Sequence, residues 1–186
     1  VVNYCCVLSA DGCHAYLISR DGKLHVLAIS DGDSRDAHAA SRITEERVVD
    51  LGLTGCACAP TMHDGKLIVG GEANGSAALA IIDLNDDFST KLITTADGSQ
   101  LTAGPLGGIK GAPLVSAQAD GTYVVYFTVN YGETSDFVNY TSGGGVYRYK
   151  LGDTEASGVF SATGHYNCCD SPIACDAQGN LYYIND

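Results

Sequence analysis

The chain repeats one short pattern four times, and this repeat constrains the possible folds more than any other feature of the sequence. Each copy consists of an apolar run, a turn containing Asp-Gly or Gln-Gly, and a second apolar run. The glycines of the four turns are 53, 56 and 58 residues apart, at Gly12, Gly65, Gly121 and Gly179. Because such pairs tolerate the positive φ angles of tight turns, each copy predicts a β-hairpin. A period of about 50 residues made of strands is typical of a propeller or a similar array.

Two more strands are predicted after each of the first three hairpins. A third, apolar strand is predicted at residues 23–29, 77–84 and 146–151. A fourth, shorter and more polar strand is predicted at residues 46–50, 90–94 and 158–161, as suits the exposed rim of a blade. We therefore predict an all-β fold, a β-propeller of four-stranded blades with about three and a half blades present. The predicted propeller segment is a single domain whose blades span approximately residues 1–52, 53–103 and 104–164, with a partial blade at 165–186.

This number of blades is below that of the usual closed ring, which has about four to eight. The end blades of an open ring have unpaired backbone groups, which are costly when buried and prone to association when exposed. The chain is therefore expected either to be part of a longer propeller or to close through a partner copy or an exchanged strand. We favour a fragment of a larger ring that self-associates in solution through its open edges.

Two segments depart from the strand pattern. Residues 36–47 (DAHAASRITEER) hold better helix formers than strand formers, so a short helix before the fourth strand of the first blade is an alternative. Residues 131–145 (YGETSDFVNYTSGGG) form a long insertion in the third blade, and loops of that length often lie on a functional face. Its aromatic residues are candidate partner-binding residues, unless they only pack the loop onto its blade: Tyr131, Phe137 and Tyr140.

Cysteine is the most distinctive residue type of the chain. Eight cysteines favour disulfides and an oxidising, extracytoplasmic location. They are Cys5, Cys6, Cys13, Cys56, Cys58, Cys168, Cys169 and Cys175. When Pro60 is aligned with Pro172, Cys56 and Cys168 coincide at the entrance to the innermost strand, and Cys5 and Cys6 lie at the same entrance in the first blade. Disulfides that brace these entry loops are one interpretation, and a redox-active or metal-binding ring of cysteines is the alternative.

The charge and the remaining motifs exclude several classes of function. The chain has 10 Lys and Arg against 22 Asp and Glu, a net charge of −12, so nucleic-acid binding is not expected. No apolar run approaches the roughly 18–20 residues of a membrane span. The five histidines lack HxH and HExxH spacing, and no nucleophile or phosphate-binding motif stands in a suitable setting. No catalytic residue and no metal ligand is therefore assigned.

Two stretches of the repeat resemble a known family. The sequence DGKLHVL at Asp21–Leu27, and Ser-Pro-Ile followed by Gln-Gly-Asn-Leu-Tyr-Tyr within residues 171–183, are similar to repeats of the pyrroloquinoline-quinone-like (PQQ-like) β-propellers. That family includes periplasmic quinoprotein dehydrogenases, outer-membrane assembly scaffolds and many surface proteins. In the dehydrogenases a disulfide between adjacent cysteines lies against the cofactor, and Cys5-Cys6 and Cys168-Cys169 resemble it. The cofactor stacks there on a tryptophan, of which this chain has none, so we expect no cofactor.

Together these observations predict a non-enzymatic binding or scaffold module of a bacterial surface or periplasmic protein. It is expected to bind a protein or small ligand through loops at its cysteine-rich face and through the insertion at residues 131–145. One alternative is a fragment of a PQQ-dependent quinoprotein oxidoreductase, which predicts a bound quinone and an associated cation. The other is a cysteine-based metal or redox site, which predicts free thiols or bound zinc.

Overall fold

The structure is a computed structural model that describes residues 2–30, 43–56, 58–74, 76–93, 108–129, 145–154, 156–161 and 172–184. These residues form three four-stranded antiparallel sheets and one two-stranded hairpin. In each four-stranded sheet the strands lie side by side in the order in which they follow one another along the chain. The predicted all-β fold of four-stranded blades is confirmed, and the structure is a partial β-propeller.

The strands of each sheet are as follows. The first sheet contains β1 (Val2–Leu8), β2 (His14–Ser19), β3 (Lys23–Ile29) and β4 (Ile43–Asp50). The second contains β5 (Thr61–His63), β6 (Lys66–Ala73), β7 (Ser76–Asp83) and β8 (Ser89–Ile93). The third contains β9 (Leu114–Ala117), β10 (Tyr123–Val129), β11 (Gly145–Lys150) and β12 (Ser157–Ser161). The final hairpin consists of β13 (Ala174–Cys175) and β14 (Leu181–Tyr182).

The four repeat turns have glycines with positive φ, as the sequence predicts. The φ angle is 73° at Gly12, 68° at Gly65, 80° at Gly121 and 86° at Gly179. In the second turn Asp64 also has a positive φ, 45°, so both central residues suit a type I′ turn. In the other three turns the glycine N–H donates to the carbonyl oxygen three residues earlier, which is a type I turn followed by a left-handed glycine. The turn residues therefore fix where each hairpin reverses.

The fourth strand of the first sheet shows that the alternative of a short helix at residues 36–47 is wrong for residues 43–47. Because β4 begins at Ile43, residues 43–47 form a strand and not a helix; residues 36–42 lie outside the described part of the chain. The strand pairs with β3 along its length, with Ile43 opposite Ile29. Pairing with a neighbouring strand outweighs a modest local preference for helix.

The second sheet is buried on both faces. In β6, Leu67 and Val69 pack in a cluster with the first sheet, whereas Ile68 packs in a cluster with the third. The alternation continues in β7, where Ala78, Ala80 and Ile82 join the first cluster and Ala77, Leu79 and Ile81 join the second. Successive side chains of a strand point to opposite faces, so the nearly continuous apolar run of each strand contributes side chains to both clusters. The three sheets therefore stack face to face.

Polar contacts join neighbouring sheets both near their first strands and near their fourth strands. At β5, the hydroxyl of Thr61 donates to the carbonyl oxygen of Pro113, which precedes β9, at 2.6 Å. At the outer strands, Arg47 of β4 forms an ion pair with Asp87, which precedes β8. An exposed ion pair contributes little to stability, so the Arg47–Asp87 pair aligns the sheets more than it stabilises them.

Two adjacent glycines in β6 let connecting segments approach both of its faces. A Cβ atom on Gly71 would lie 2.4 Å from the carbonyl oxygen of Gly55, in the segment between the first two sheets. A Cβ atom on Gly70 would lie 2.1 Å from Cγ2 of Ile109, in the segment that leads to the third sheet. The Glu72 N–H donates to the Gly55 carbonyl at 2.9 Å, and the Ile109 N–H donates to the Gly71 carbonyl at 3.2 Å. This glycine pair is therefore a joint at which both segments are held to β6.

We expect Gly71→Ala to lower the free energy of unfolding by about 1–3 kcal/mol, because the added methyl group would overlap the Gly55 backbone. Urea unfolding followed by circular dichroism measures the change. The matched control is Gly158→Ala in β12, where the new Cβ would lie 3.7 Å from Tyr147, an ordinary contact distance. The control should change stability by no more than about 0.5 kcal/mol. Equal losses in the two variants would contradict the close approach at Gly71.

Candidate functional site

The structure describes some of the predicted site residues and not others. Five cysteine side chains are described, and all are free thiols: Cys6, Cys13, Cys56, Cys58 and Cys175. Others lie outside the described residues or side chains: Cys5, Cys168 and Cys169, with Tyr131, Phe137 and Tyr140 of the predicted partner-binding loop. The expected disulfides therefore find no support among the five described thiols.

The five thiols have two kinds of surroundings. Cys6, Cys13 and Cys175 are exposed, whereas Cys56 and Cys58 are buried, with exposed fractions of 7% and 5%. Cys6 lies within β1, and Cys56 and Cys58 lie in the segment between β4 and β5. The structure thus brings Cys56 and Cys58 together in the core between the first two sheets and leaves Cys6, Cys13 and Cys175 at the surface.

Cys56 and Cys58 share one hydrogen-bond acceptor. The carbonyl oxygen of Gly70 lies 3.2 Å from Sγ of Cys56 and 3.1 Å from Sγ of Cys58. The Gly70 N–H in turn donates to Sγ of Cys58 at 3.2 Å. A hydrogen bond from Cys58 lowers the pKa of the Cys56 thiol, while the bond to Cys56, together with burial, raises the pKa of the Cys58 thiol well above its usual value. The two thiols therefore differ chemically, with Cys56 the first to lose its proton.

A polar cleft, which we term the inner cleft, lies between the third sheet and the final hairpin. Its volume is about 440 Å³. Its polar lining comes from β9 and the turn after it, from β10 and from the final hairpin: Ser116, Gln118, Tyr126, Cys175, Asp176 and Gln178. Ligand pockets usually measure about 300–1,000 Å³, so the inner cleft has room for a small ligand or part of a peptide.

Asp176 carries the negative charge of the inner cleft. Its Oδ1 accepts from the N–H groups of Gln178 at 3.0 Å and Asn180 at 2.8 Å. Its Oδ2 accepts from Nδ2 of Asn180 at 2.7 Å and from the hydroxyl of Tyr182 at 2.8 Å. These bonds, above all that from the Asn180 side chain, lower the pKa of Asp176 to about 2. The carboxylate therefore stays ionised at neutral pH, and the described residues that line the cleft include no basic side chain.

A second cleft, the outer cleft, lies between the outer strands of the second and third sheets. Its volume is about 330 Å³, and its lining includes Lys66 and Lys91. The ammonium group of Lys66 donates to Asp83, its neighbour on β7. That of Lys91 donates to the carbonyl oxygen of Asp153 at 3.1 Å and lies 5.8 Å from the centre of the Tyr149 ring. The charge of Lys66 is neutralised by Asp83, whereas the described lining of the inner cleft holds Asp176 with no basic side chain, so the inner cleft is the better candidate for a charged ligand.

The described residues show neither a metal site nor a membrane-spanning helix. In this part of the chain, no group of three or more His, Cys, Asp or Glu side chains could hold a metal ion. The same ranges contain no helix that is long and apolar enough to cross a membrane. No metal site is assigned in these ranges.

Comparisons with known proteins show a likeness in fold and no family. No protein-family model matches the chain, and no curated protein matches it. Among solved structures, the chain is similar to a provisionally assigned 6-phosphogluconolactonase from Bacteroides uniformis, with 13% sequence identity and a TM-score of 0.44. The match covers 97% of this chain and 63% of that chain. The chain therefore spans less than two thirds of the length of this protein.

The inner cleft has no signal in the sequence, because its walls around Gln118 and Gln178 are distant along the chain. A local signal does exist for Asp176. It stands at the first position of the turn Asp-Ala-Gln-Gly, and aspartate at this position accepts hydrogen bonds from later N–H groups. That signal predicts an ionised turn residue, but it does not show that β9 lies beside the turn.

We expect the pKa of Asp176 to be about 2 in the folded protein, measured by carboxyl NMR titration. Because this value is below the ordinary 3.8, the carboxylate stabilises the fold above pH 3.8, and that stabilisation is lost as the pH falls towards 2. Asn180→Ala should raise the pKa by removing the side-chain donor with the largest effect. Tyr182→Phe, which removes one hydroxyl donor of smaller effect, is the matched control and should raise it less. An unchanged pKa in Asn180→Ala would show that the assigned cause is wrong.

Proposed function

We propose that the chain is a non-enzymatic binding module that acts outside the cytoplasm, with the stacked sheets as scaffold and the inner cleft as binding site. The observation that carries this proposal is the fixed negative charge of Asp176 beside the polar side chains of Gln118 and Gln178. Charge complementarity favours a ligand with positive charge and hydrogen-bond donors. The net charge of −12 attracts the same class of ligand. A basic peptide segment of a protein partner has this chemistry, as does a small cationic molecule.

The shifted carboxyl pKa values support binding over acid–base catalysis. Six described aspartates have lowered pKa values, each mainly through a side-chain hydrogen bond in a turn or an ion pair: Asp11, Asp21, Asp83, Asp87, Asp120 and Asp176. A general acid or base works best with a pKa near the operating pH, and these groups are moved away from it. Glu72 has a pKa raised by burial, and its backbone is part of the joint with Gly55. None of these shifts therefore supports a role for these carboxylates in acid–base catalysis.

The family and the location that we propose are inferred from the sequence. We assign the repeat to the PQQ-like propellers on the Asp21–Leu27 stretch and the pattern within residues 171–183. Eight cysteines support an extracytoplasmic location, because chains of this size in reducing compartments usually carry fewer. Of the two alternatives, the quinoprotein oxidoreductase predicts a bound quinone. The cysteine-based redox site has more specific support, because Cys56 and Cys58 are adjacent free thiols.

Self-association through open edges is a further part of the proposal. On β4, at the outer edge of the first sheet, Ile43 is 62% exposed and Val48 is 45% exposed. An edge strand with exposed apolar side chains is a template for pairing with another chain. We expect sedimentation velocity to show a dimer fraction that grows with protein concentration and that falls in Ile43→Lys. A single monomeric species at every concentration would contradict this part of the proposal.

Three peptides of equal length, one basic, one neutral and one acidic, test the binding function in NMR titrations of the full chain. We expect the basic peptide to bind most tightly, with shift changes at Ser116, Gln118 and the turn from Asp176 to Gly179. Its affinity should fall as salt is added, because an exposed ionic contact is screened. Equal binding of the basic and acidic peptides would refute the proposed ligand class.

Ala117→Trp tests whether the inner cleft is the binding site. Ala117 lines the cleft, so a large ring at this position fills it. We expect the affinity for the basic peptide to fall at least about tenfold, or about 1.4 kcal/mol. The matched control is Ala10→Trp, at the exposed first repeat turn, which should leave the affinity unchanged. Unchanged binding in Ala117→Trp would mean that the peptide binds elsewhere.

A further inference from the structure

The buried thiols Cys56 and Cys58 lie where the first and second sheets are connected. The Cys56 N–H donates to the carbonyl oxygen of Arg20, at the end of β2, at 3.1 Å, which fastens this point of the segment to the first sheet. The thiols themselves contact Gly70 in β6 of the second sheet. Sγ of Cys58 lies 3.3 Å from the position that a Gly70 Cβ would take, so the sulfur packs over the glycine. The pair therefore bridges two blades at the glycine joint.

The geometry also brings the two sulfurs close to each other. Each lies within hydrogen-bond distance of the same Gly70 oxygen, and Sγ of Cys56 also lies 3.8 Å from the carbonyl oxygen of Cys58. One residue separates them in the sequence. The other described cysteines, Cys6, Cys13 and Cys175, are exposed on other elements. Among the described cysteines, each of the two thus has the other as its nearest partner for oxidation.

We propose that Cys56 and Cys58 form a reversible disulfide with each other, which makes the connection between the first two sheets a dithiol–disulfide site. This inference specifies one pairing among eight cysteines and assigns it to a single short segment. It goes beyond the proposed binding function and does not depend on it, because no ligand of the inner cleft takes part.

The reaction is a thiol–disulfide exchange with a low-molecular-weight disulfide such as oxidised glutathione. The thiolate of Cys56 attacks one sulfur of the oxidant, forms a mixed disulfide and releases one glutathione thiolate. The Cys58 thiol then loses its proton and attacks Sγ of Cys56, which releases the second glutathione thiolate. The two protons lost by the cysteines are taken up by the two glutathione thiolates. The cysteine pair is oxidised by two electrons, and the oxidant is reduced by the same two electrons.

The direction of attack follows from the different protonation of the two sulfurs. The hydrogen bond from Cys58 lowers the pKa of the Cys56 thiol, which makes Cys56 the attacking group. Cys58 keeps its proton longer, because its bond to Cys56 and its burial raise its pKa. After oxidation neither sulfur has a hydrogen to donate to the Gly70 carbonyl. The contact between the connecting segment and β6 therefore changes with the redox state.

Trypsin gives a direct test of the pairing. Cleavage after Arg47 and Lys66 releases residues 48–66, a peptide that contains Cys56 and Cys58 and no other cysteine. The full chain is equilibrated in buffers of reduced and oxidised glutathione, quenched with acid, unfolded in denaturant at neutral pH with excess alkylating reagent to label its remaining thiols, and digested. In oxidising buffer we expect this peptide to be two hydrogens lighter than the dithiol form and to carry no label. In reducing buffer it should carry two labels.

Three variants test whether the bridge requires both Cys56 and Cys58. In Cys56→Ser and Cys58→Ser the peptide should carry one label or one glutathione in oxidising buffer, and never the internal bridge. Cys13→Ser, which removes an exposed thiol, should leave the oxidation of the peptide unchanged. In the unmodified chain, a peptide linked to a second cysteine peptide, a peptide that keeps a glutathione, or two labels in the oxidising buffer would each overturn the proposal. Because the readout is a mass, it does not require the variants to remain folded.

Discussion

The burial of the second sheet on both faces is the constraint on which the rest of the structure depends. Its strands β6 and β7 contribute alternate side chains to two separate clusters, one shared with the first sheet and one with the third. Full burial of an aliphatic side chain contributes about 1.5–3 kcal/mol, so removal of either neighbour would expose a costly apolar surface. The outer strand of the first sheet contributes little to this burial. β4 is largely exposed along its length, and it can hold charged residues that pair across blades, as Arg47 does.

At both candidate sites the main chain is held by close contacts or by hydrogen bonds. Gly70 and Gly71 lack side chains because segments from both neighbouring sheets occupy the space above them. That close approach places Cys56 and Cys58 on a shared carbonyl oxygen. At the inner cleft the constraint is a turn, in which Asp176 uses both carboxylate oxygens to hold the backbone. In both places the same contacts that shape the backbone also set the chemistry of the side chain.

The hairpins and most strands could be predicted from the sequence because their signals are local. The spacing of Gly12, Gly65 and Gly121 locates the turns, and the third strand of the first sheet has the predicted bounds Lys23–Ile29. The start of β4 could not be predicted, because its pairing with β3 overrides its helix-forming composition. Nor does residue type distinguish buried Cys58 from exposed Cys6, since depth depends on the sheet that packs above each residue. The inner cleft is formed by two segments that are distant in the sequence, and it therefore has no local sequence motif.

The alternating side chains of β6 and β7 also determine how the stack comes apart. Loss of the first sheet uncovers one face of the second, and loss of the third uncovers the other, so either flank can open while the rest stays assembled. Loss of the middle sheet removes the partner of both flanks at once. Such nearest-neighbour coupling, familiar from repeat proteins, orders local unfolding from the flanks inward. The amide hydrogens of β6 and β7 are then the last to exchange with solvent. The most stable cooperative unit of the fold is therefore centred on the second sheet, which is exposed to water only at its edges.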